Sequence, residues 1–388
     1  MLGGVNVALC VTGSIAAVKT TELAHELRRR GATVRGVMTE SAQGIVHPWA
    51  VGFATDEPVV TEITGDIEHV ELCGREGWAD VLLLAPATAN TVGKIAAAID
   101  DTPVTTCATT ALGSGLPVVI APAMHEPMYD HPGVVEAISR IESWGVSFVP
   151  PRIEEGKAKI GAADAICLAA ARAAGDRSLE GKHVVVTSGA TVESIDPIRV
   201  LTNRASGRTG RAIARACYVR GAAVTLVQGG LESESDHLPY ATTKPVESAA
   251  EMLEAVEATV NDADALLSAA AIADYTTEAA DEKIRSGGEL TFDLTPTPKL
   301  LDEIRESYPD LPIVGFKAET SSEDEAMIER ARELLERVDL NLVVANDASV
   351  MGEDETGALF VRSEDITSFA GSKADLGARI AAELAADL

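Results

Sequence analysis

Apolar runs and amphipathic stretches alternate along the first half of the chain. Residues 5–12 predict a strand, residues 16–31 predict a helix that ends at Gly31, and residues 32–41 predict a second strand. Three more apolar runs, ADVLLLAPAT, LPVVIAPAM and GVSFVP, predict further strands. Strands that alternate with helices indicate a parallel sheet covered on both faces, which binds ligands at the carboxyl ends of its strands.

The second half opens with the same pattern around an unusually long loop. A buried strand from His183 runs into a glycine turn, and a helix from Gly210 leads into another strand. The loop between them carries polar clusters at 187–191, 196–199 and 203–210, whereas most strand-to-helix loops have only a few residues. A loop of this length in an α/β unit is usually functional.

The end of this loop is a candidate anion site. Ser206, Gly207, Thr209 and Gly210 lie just before the predicted helix, where unpaired N–H groups and the helix dipole favour a phosphate. The spacing matches neither GxGxxG nor GxxxxGKS. The residues alone therefore leave two interpretations open, a phosphate site or a structural turn with capping serines.

The remaining pattern completes a two-domain α/β prediction. Further strands are predicted at ADALLSAAAIADY, LPIVGFKAET and LNLVVANDAS, with a charged helix at 322–337. GGELTFDL (287–294) and GALFVRS (357–363) predict antiparallel additions at one edge. We expect two doubly wound Rossmann-like domains, 1–175 and 176–388, joined within the polar stretch 171–182.

The charge balance excludes several classes of partner. The chain has 60 Asp and Glu against 32 Lys and Arg, and only ten of the 32 are Lys. Such an anionic surface repels nucleic acid and anionic membranes. An acidic surface poor in lysine favours a high-salt, halophilic cytoplasm, with an ordinary acidic protein as the alternative. No apolar run reaches about 18 residues and no basic leader precedes one, which predicts a cytoplasmic protein.

The cysteines predict neither disulfides nor a metal site. Five cysteines are an odd number, and none forms a CxxC pair. We expect most of them to be small buried apolar residues, and the pattern identifies no metal ligands.

Polar segments follow the predicted strands of the first half. They are 13–19, 38–42, 86–91, 105–110 and 122–128, and five such turns would line one crevice. His69 lies apart from them between acidic residues, and a lone histidine is more often a surface or core residue than a catalytic one. Asn90 has an equally simple interpretation as a helix cap.

Four of these motifs carry a family resemblance. GSIAAVK, EHVEL, PATANT and PAMH, in this order, resemble the flavin-binding cysteine decarboxylases, and the stretch from Thr187 resembles the phosphopantothenate–cysteine ligases. Together they cover essentially the whole chain and resemble the bifunctional coenzyme A biosynthesis family. The resemblance implies an N-terminal flavodoxin-like flavin domain (1–175) and a C-terminal nucleotide-binding ligase domain (176–388).

The resemblance implies FMN and a decarboxylase in the first domain. In such enzymes a flavin oxidises the thiol-bearing end of phosphopantothenoylcysteine, which makes the adjacent carboxylate a feasible leaving group. It makes His69 the catalytic histidine, and Asn90 and Met124 substrate contacts. The implied FMN contacts are Gly13, Ser14, Ile15, Thr39, Ser41, Thr105, Thr106 and Thr109.

One departure from the family pattern concerns the proton donor. Many members have a loop cysteine after the PAM motif, but Ala158 is near the corresponding place in RIEEGKAKIGA. Lys157, Lys159 or Cys167 is the replacement donor, or this branch uses another group. His125 also stands where bacterial members have asparagine.

In the second domain the resemblance implies a CTP-dependent ligase with Mg²⁺. It assigns Asn203 to the acyl phosphate, Lys283 to catalysis, and Ala270 and Ala271 to the pantothenate carboxylate. The implied nucleotide contacts are Ser206, Gly207, Gly210, Asp274, Lys283, Pro298, Lys299, Leu300, Leu301 and Phe316. Leu334 and Val338 stand where the family has two lysines, which leaves ATP open as the nucleotide. Arg330 and Arg337 are potential substitutes.

The implied substrates are 4′-phosphopantothenate, L-cysteine and CTP. Family members form trimers through the flavin domain and dimers through the ligase domain, so the resemblance implies a homo-oligomer, up to a dodecamer.

Two alternative functions remain: a decarboxylase fused to a non-catalytic Rossmann domain, and a non-catalytic flavin-binding regulator. The non-catalytic Rossmann domain is opposed by the presence of Asn203, Asp274, Lys283 and Phe316. The non-catalytic regulator is opposed by the presence of His69 and Asn90. A yellow colour on purification would exclude a protein without flavin.

Overall fold

A computed structural model describes residues 1–231, 238–285, 287–319, 324–347 and 355–388. The contacts between Cα atoms divide the chain into two compact units, Met1–Gly175 and Asp176–Leu388. Within the described residues, none of the helices has both the length and the apolar content needed to cross a membrane.

The first unit is built on a parallel five-stranded sheet of order β2-β1-β3-β4-β6. Its central strands are wholly buried, because β3 and β4 are continuous apolar runs that the helices cover on both faces. The strand order reverses between β1 and β3, and such a switch point is where doubly wound sheets bind ligands. The strands are β1 (Asn6–Val11), β2 (Thr33–Met38), β3 (Val81–Ala87), β4 (Val118–Pro122), β5 (Met124–His125), β6 (Ser147–Phe148), β7 (Arg152–Glu154) and β8 (Lys157–Lys159).

The helices of this unit confirm the alternating pattern. A 3₁₀ helix (Ile15–Lys19) runs into the first helix, and the short strands β5, β8 and β7 form a separate antiparallel sheet. The helices are α1 (Thr20–Arg29), α2 (Glu40–Gln43), α3 (Pro48–Thr55), α4 (Glu68–Cys73), α5 (Ala89–Ala96), α6 (Pro103–Ser114), α7 (Glu126–Tyr129), α8 (Pro132–Glu142) and α9 (Ala163–Ala174).

The prediction of a polar turn at 105–110 is wrong, because this segment lies inside α6. The helix begins with a capping box in which the Thr102 hydroxyl accepts from the Thr105 N–H and the Thr105 hydroxyl accepts from the Thr102 N–H. Pro103 occupies the first turn, where its fixed φ suits a helix. The capping signal outweighs the low helix propensity of the threonines.

The second unit contains an eight-stranded sheet of order β13-β12-β9-β14-β17-β18-β19-β20. It is parallel as far as β18, and β19 and β20 then add antiparallel strands, which confirms the edge strand predicted at GALFVRS. The strands are β9 (His183–Gly189), β10 (Val192–Ser194), β11 (Val200–Thr202), β12 (Ala223–Gly229), β13 (Thr242–Val246), β14 (Ala265–Ser268), β15 (Tyr275–Thr276), β16 (Thr295–Pro296), β17 (Ile313–Glu319), β18 (Leu342–Asp347), β19 (Glu355–Val361) and β20 (Ile366–Ser372).

Five helices cover the described part of this sheet. The last helix packs closely on the first, since a Cβ atom on Gly377 would lie 2.7 Å from the backbone of Ala212. The predicted charged helix is present from Asp324, and its predicted start at 322 falls outside the described residues. The helices are α10 (Arg208–Val219), α11 (Ala249–Val260), α12 (Leu300–Ser307), α13 (Asp324–Val338) and α14 (Lys373–Asp387).

Two predictions for this unit need correction. Residues 287–294 are not a strand: in their described part Leu290, Phe292 and Leu294 expose their side chains, so no sheet face buries the alternating apolar residues. The long loop after β9 also has internal structure, because β10 and β11 pair as an antiparallel hairpin within it.

All five cysteines are buried, which confirms the burial predicted for most of them. Burial raises the pKa of the Cys217 thiol to about 12. Such a thiol is a small core residue rather than a nucleophile.

Candidate functional sites

Hydrogen bonds connect the carboxyl ends of β1, β3 and β4 in the first unit. The Thr12 hydroxyl donates to the Pro86 carbonyl at 2.8 Å, and the Thr88 N–H donates to the Thr12 hydroxyl at 3.1 Å. The Ser14 hydroxyl donates to the Ala123 carbonyl at 3.0 Å. The GSI, PATANT and PAM segments therefore meet at one edge of the sheet.

The turns after β1 and β2 also approach closely. A Cβ atom on Gly13 would lie 2.4 Å from the Ser41 hydroxyl, so only glycine allows this contact. The Ser41 hydroxyl lies 3.0 Å from that of Thr39, which caps α2 by accepting from the Ala42 N–H. Four predicted FMN contacts thus lie in the two adjoining turns, with Ser14 next to Gly13.

The other predicted FMN residues differ in their surroundings. Ile15 follows Ser14 and is 78% exposed. The hydroxyls of Thr105 and Thr106 already bond within the first turn of α6, and Thr109 is exposed on the same helix. No hydrogen bond among the described residues joins this helix to the Gly13–Ser41 contact.

His69 lies half-buried near the start of α4. Its Nδ1 atom is buried and finds no hydrogen-bond partner in the described part of the chain. A buried ring nitrogen without a partner is costly, and a ligand can satisfy it. This distinguishes His69 from an ordinary core histidine.

Asn90 is not the helix cap. Thr88 caps α5, and its hydroxyl accepts from the Thr91 N–H. Asn90 follows in the first turn with its side chain exposed. Its amide is therefore free of the capping role.

The PAMH segment pairs directly with the segment that lacks the family cysteine. Met124 lies opposite Ala158, and His125 lies opposite Lys157, in the antiparallel β5–β8 ladder. Cys167 is buried in α9, away from solvent. Lys159 bonds to Glu154 and Glu155 at 3.0 Å each, and these bonds raise the pKa of Lys159.

The second unit contains a cleft of about 500 Å³ at the carboxyl ends of its central strands. It is bounded by β9, β14, β17 and β18 and by the amino ends of α10, α12 and α14. All of the predicted ligase residues except Lys283 line it: Asn203, Ser206, Gly207, Gly210, Ala270, Ala271, Asp274, Pro298, Lys299, Leu300, Leu301 and Phe316.

Glycines bring the start of α10 against the end of β9. Gly207 precedes the helix with φ +70° and accepts a hydrogen bond from the Ser188 hydroxyl at 2.9 Å. A Cβ atom on Gly210 would lie 2.6 Å from the Ser188 side chain. No side chain caps the helix, and its amino end borders the cleft, which favours an anion there.

The Asn203 amide is oriented by the backbone of another cleft-lining residue, Ala271. Its Nδ2 donates to the Ala271 carbonyl at 3.1 Å. Ala271 is itself fixed, because its N–H donates to Gly189 at 2.9 Å and its carbonyl also accepts from Thr191 at 3.2 Å. The Asn203 side chain is thus held in place where the residue lines the cleft.

The cleft concentrates positive charge on a strongly acidic chain. Three of the ten lysines line it, together with three arginines and two aspartates: Lys299, Lys317, Lys373, Arg204, Arg208, Arg337, Asp274 and Asp302. Lys299 pairs with Asp274 at 2.7 Å, and Arg337 pairs with Asp302. An excess of cations in one concave site suits a polyanionic ligand.

Sequence reasoning missed several of these residues. Four basic residues of the cleft were not predicted: Arg204, Arg208, Lys317 and Lys373. Their only signal in the sequence was their basic character on a lysine-poor chain. Lys373 comes from the last helix and reaches the cleft because α14 packs on α10.

The structure separates the potential replacements for the missing lysines. Leu334 and Arg337 line the cleft. Val338 is 2% exposed within the core, and Arg330 lies on the exposed face of α13. Arg337 is therefore the substitute that reaches the cleft.

Lys283 lies outside the set of cleft-lining residues. It is exposed in the loop between β15 and β16, and the adjoining Ile284 bonds to Asp196 and Arg199. Among the described residues, no three His, Cys, Asp or Glu side chains form a group able to hold a metal ion.

The fold and sites define a two-unit α/β enzyme with a flavoprotein-like first half and a cationic cleft in the second. A family model described as "Flavoprotein" matches residues 1–175. A second, described as "DNA/pantothenate metabolism flavoprotein C-terminal domain", matches residues 179–388.

Curated relatives extend this match to the whole chain. The coenzyme A biosynthesis bifunctional protein CoaBC of Thermococcus kodakarensis is 48% identical, covering 93% of this chain and 89% of that protein. The CoaBC protein of Methanocaldococcus jannaschii is 36% identical, covering 98% and 93% respectively. The solved C-terminal domain of a CoaBC protein aligns with 55% of this chain and 98% of its own, at 29% identity and TM-score 0.46.

The chain belongs to the CoaBC family of bifunctional coenzyme A biosynthesis proteins. The predicted α/β fold and the predicted bifunctional enzyme, a phosphopantothenoylcysteine decarboxylase joined to a phosphopantothenate–cysteine ligase, are confirmed.

Proposed function

We propose that the second unit joins L-cysteine to 4′-phosphopantothenate at the expense of CTP, and that the first unit decarboxylates the product with FMN. The observation that carries the ligase half is the cationic cleft, where six basic side chains line one cavity of a chain with net charge −28. A carboxylate and a triphosphate can meet on this protein only where its charge is locally reversed.

The ligase reaction requires the substrate carboxylate to become an acyl donor. A carboxylate oxygen attacks the α-phosphorus of CTP, forms an acyl cytidylate and releases pyrophosphate. The cysteine amine then attacks the acyl carbon, cytidine monophosphate leaves, and the amine loses a proton. The N–H groups at the start of α10 and the basic side chains offset the charge that develops, and Mg²⁺ carried in by the triphosphate would offset more of it.

Individual residues take separate roles in this scheme. Asn203 orients the acyl group, and Ala270 and Ala271 line the part of the cleft that receives the pantothenate carboxylate. The base and sugar of CTP bind near Asp274 and Phe316. Lys283 approaches the reacting phosphorus from the loop at 282–285, and Arg337 replaces one of the family lysines.

Separate assays of the two half-reactions test this scheme. Lys283→Gln should lower the kcat for nucleotide-dependent pyrophosphate release by about 100-fold, because it removes an interaction made mainly in the transition state. Asn203→Asp should release pyrophosphate but form product slowly. Parallel assays with ATP measure nucleotide choice. Full product formation by Lys283→Gln would contradict the assigned role of Lys283.

The residues at the sheet edge of the first unit fit FMN. The Gly13–Ser41 approach brings the Ser41 and Thr39 hydroxyls together as a polar cradle beside a glycine, and the buried Nδ1 of His69 lacks a partner. Ile15 and Ile67, which adjoin this cradle and α4 in sequence, expose aliphatic surface suited to a flat ring. When bound, FMN supplies the redox chemistry that makes the carboxylate a leaving group.

The protein supplies binding and proton chemistry around this group. Asn90 holds the substrate carboxylate by a neutral amide, which avoids strong stabilisation of a charge that is about to be lost. His69 is the catalytic histidine, and Met124 contacts the substrate. Loss of carbon dioxide leaves a carbon that must gain a proton, and Lys157 supplies it in place of the absent cysteine. Its position opposite His125 in the β5–β8 ladder supports this choice.

We further propose that the enzyme is a cytoplasmic homo-oligomer adapted to high salt. Trp49 and Phe53 on α3 are 83% and 81% exposed in the single chain, which supports association through the flavin unit. Trimeric flavin units and dimeric ligase units give a dodecamer. Light scattering in molar KCl tests this assembly, and a monomer would contradict it.

A further inference from the structure

Asp196, between β10 and β11, has a carboxylate that is fully enclosed by hydrogen-bond donors. Its Oδ1 accepts from the N–H groups of Ile198 and Arg199, both at 2.8 Å. Its Oδ2 accepts from the Arg199 Nε at 2.9 Å and from the Ile284 N–H at 3.1 Å. The Asp196 side chain has no exposed surface. One oxygen therefore holds its own turn, and the other reaches a loop 88 residues away.

Arg199 completes this connection. Its guanidinium bonds to the Asp196 carboxylate and also donates to the Ile284 carbonyl. The N–H and the carbonyl of Ile284 are therefore both hydrogen-bonded to the Asp196–Arg199 ion pair. A further hydrogen bond joins the Ala280 N–H to the Ile195 carbonyl at 2.9 Å. The loop is fixed at two points along the same hairpin.

The electrostatics keep this connection charged. Burial alone would raise the pKa of Asp196, but the hydrogen bonds from Ile198, Arg199 and Ile284 and the Arg199 guanidinium hold it well below its usual range. The carboxylate is therefore ionised at neutral pH. Hydrogen bonds to an ionised acceptor are stronger than neutral ones.

The hairpin also leads into the cleft. Strand β11 ends at Thr202, and the next residue is Asn203, whose amide is fixed on Ala271. Asp196, Arg199 and Ile284 are themselves not among the residues that line the cleft. They are placed to orient other groups rather than to touch substrate.

We propose that Asp196 is a positioning residue, which acts through Ile284 to hold Lys283 in a fixed relation to Asn203. This inference rests on the proposed role of Lys283. Without the connection, an exposed loop would have to order its lysine anew in each catalytic cycle. A small displacement of such a group lowers the rate steeply, because catalysis depends on preorganised geometry.

Asp196→Asn separates the two functions of the carboxylate. An asparagine oxygen still accepts from Ile198 and Arg199, so the local turn remains, but the amide nitrogen cannot accept from Ile284. We expect the kcat for CTP-dependent pyrophosphate release to fall about 10- to 100-fold with the Kd for CTP changed less than about threefold. Hydrogen exchange at Ile284 should become faster. Arg199→Gln, which removes the bond to the Ile284 carbonyl, should act in the same direction.

Asp264→Asn is the matched control. Asp264 also accepts a backbone hydrogen bond, from the His183 N–H at 2.8 Å, and also pairs with a cation, Lys182. It precedes β14 and thus lies at the opposite edge of the sheet from the cleft. Pyrophosphate release in this variant should stay within about twofold of wild type, and decarboxylation should be unchanged in all variants.

A double mutant tests whether Asp196 acts through Lys283. If it does, Asp196→Asn added to Lys283→Gln lowers kcat no further, because the two losses share one cause. Independent losses that multiply, or a wild-type rate in Asp196→Asn and Arg199→Gln, would overturn the inference while leaving the ligase assignment intact. A wild-type rate in Lys283→Gln alone would instead contradict the role proposed for that lysine.

Discussion

Lys299 and Asp274 form a 2.7 Å ion pair within the cleft of the second unit. Lys299 precedes α12, whereas Asp274 follows β14, so the pair joins two separate walls. Both side chains are more than half exposed, and exposed pairs contribute only about 0–1 kcal/mol to stability. The pair therefore contributes little to holding the fold.

Asp274→Asn should weaken CTP binding with little effect on folding. We expect the Kd for CTP to rise about 10-fold, roughly the value of one charge-assisted hydrogen bond, while the midpoint of thermal unfolding moves by less than about 3 °C. Isothermal titration and thermal unfolding measure the two effects. The control is Asp302→Asn, which breaks the other ion pair of the cleft. A large loss of stability in Asp274→Asn would show a structural role instead.

His69→Asn should abolish carbon dioxide release while FMN stays bound. The ring has an unpaired buried nitrogen but makes no cap or core hydrogen bond that the fold needs. We expect a loss of at least about 100-fold in decarboxylation, the usual range for an acid–base group. His131→Asn is the control, because His131 caps α8 and asparagine can keep that cap. Equal activity in the two variants would contradict the assignment.

Lys157→Ala and Lys159→Ala should differ. Lys159 is held by two glutamates and retains its proton, so we expect Lys159→Ala to turn over at a rate near wild type. The Lys157→Ala variant should start the reaction but stop before the final proton is supplied. The flavin spectrum should then show the reduced form. Normal turnover in both variants would leave His125 as the nearest candidate on the same ladder.

Molar KCl should stabilise the protein. Screening reduces repulsion among the excess negative charges of a chain with net charge −28. We expect the unfolding midpoint and both activities to rise between 0.1 and about 2 M KCl. NaCl distinguishes general screening from a specific effect of potassium. A midpoint independent of salt would contradict the halophilic interpretation.

Acid should destabilise the second unit through its aspartates. Hydrogen bonds hold the pKa values of Asp196 and Asp264 below their usual range, led for Asp264 by the His183 N–H. A lowered folded-state pKa stabilises the fold above the unfolded value of about 3.9, and this contribution is lost as the pH falls through the folded-state value. Unfolding free energies measured from pH 7 to pH 3 should therefore decrease below about pH 5. The decrease should be smaller in Asp264→Asn.

The sequence predicted what depends on local pattern. Wholly apolar runs such as β3 specified the buried strands, and glycine and proline marked their ends. The hydrophobic pattern predicted the wrong structure where a helix cap or the absence of a partner strand decided the outcome. Thr102 and Thr105 form a capping box that places the threonine-rich segment in a helix, and residues 290–294 alternate like a strand without a neighbouring strand to pair with.

The candidate sites show the same limit. Motifs located Asn203 and Asp274, which share a cleft although 70 residues separate them. The sequence could not predict that Lys373 lines the cleft, because its place there depends on how α14 packs on α10. Asp196 was visible only as a member of a polar cluster, since its partner Ile284 contributes backbone atoms that no side-chain pattern reveals.

The packing of α14 on α10 has a consequence for the order in which the two sites form during synthesis. The cleft takes residues from Gly189 through Leu376, so it cannot close until nearly all of the second unit has been made. The first unit needs nothing beyond Gly175 for its internal contacts and can fold while the ribosome is still translating the second. The first unit can therefore complete its fold before the cleft of the second unit forms, although the reaction proposed for it uses the product of the ligase.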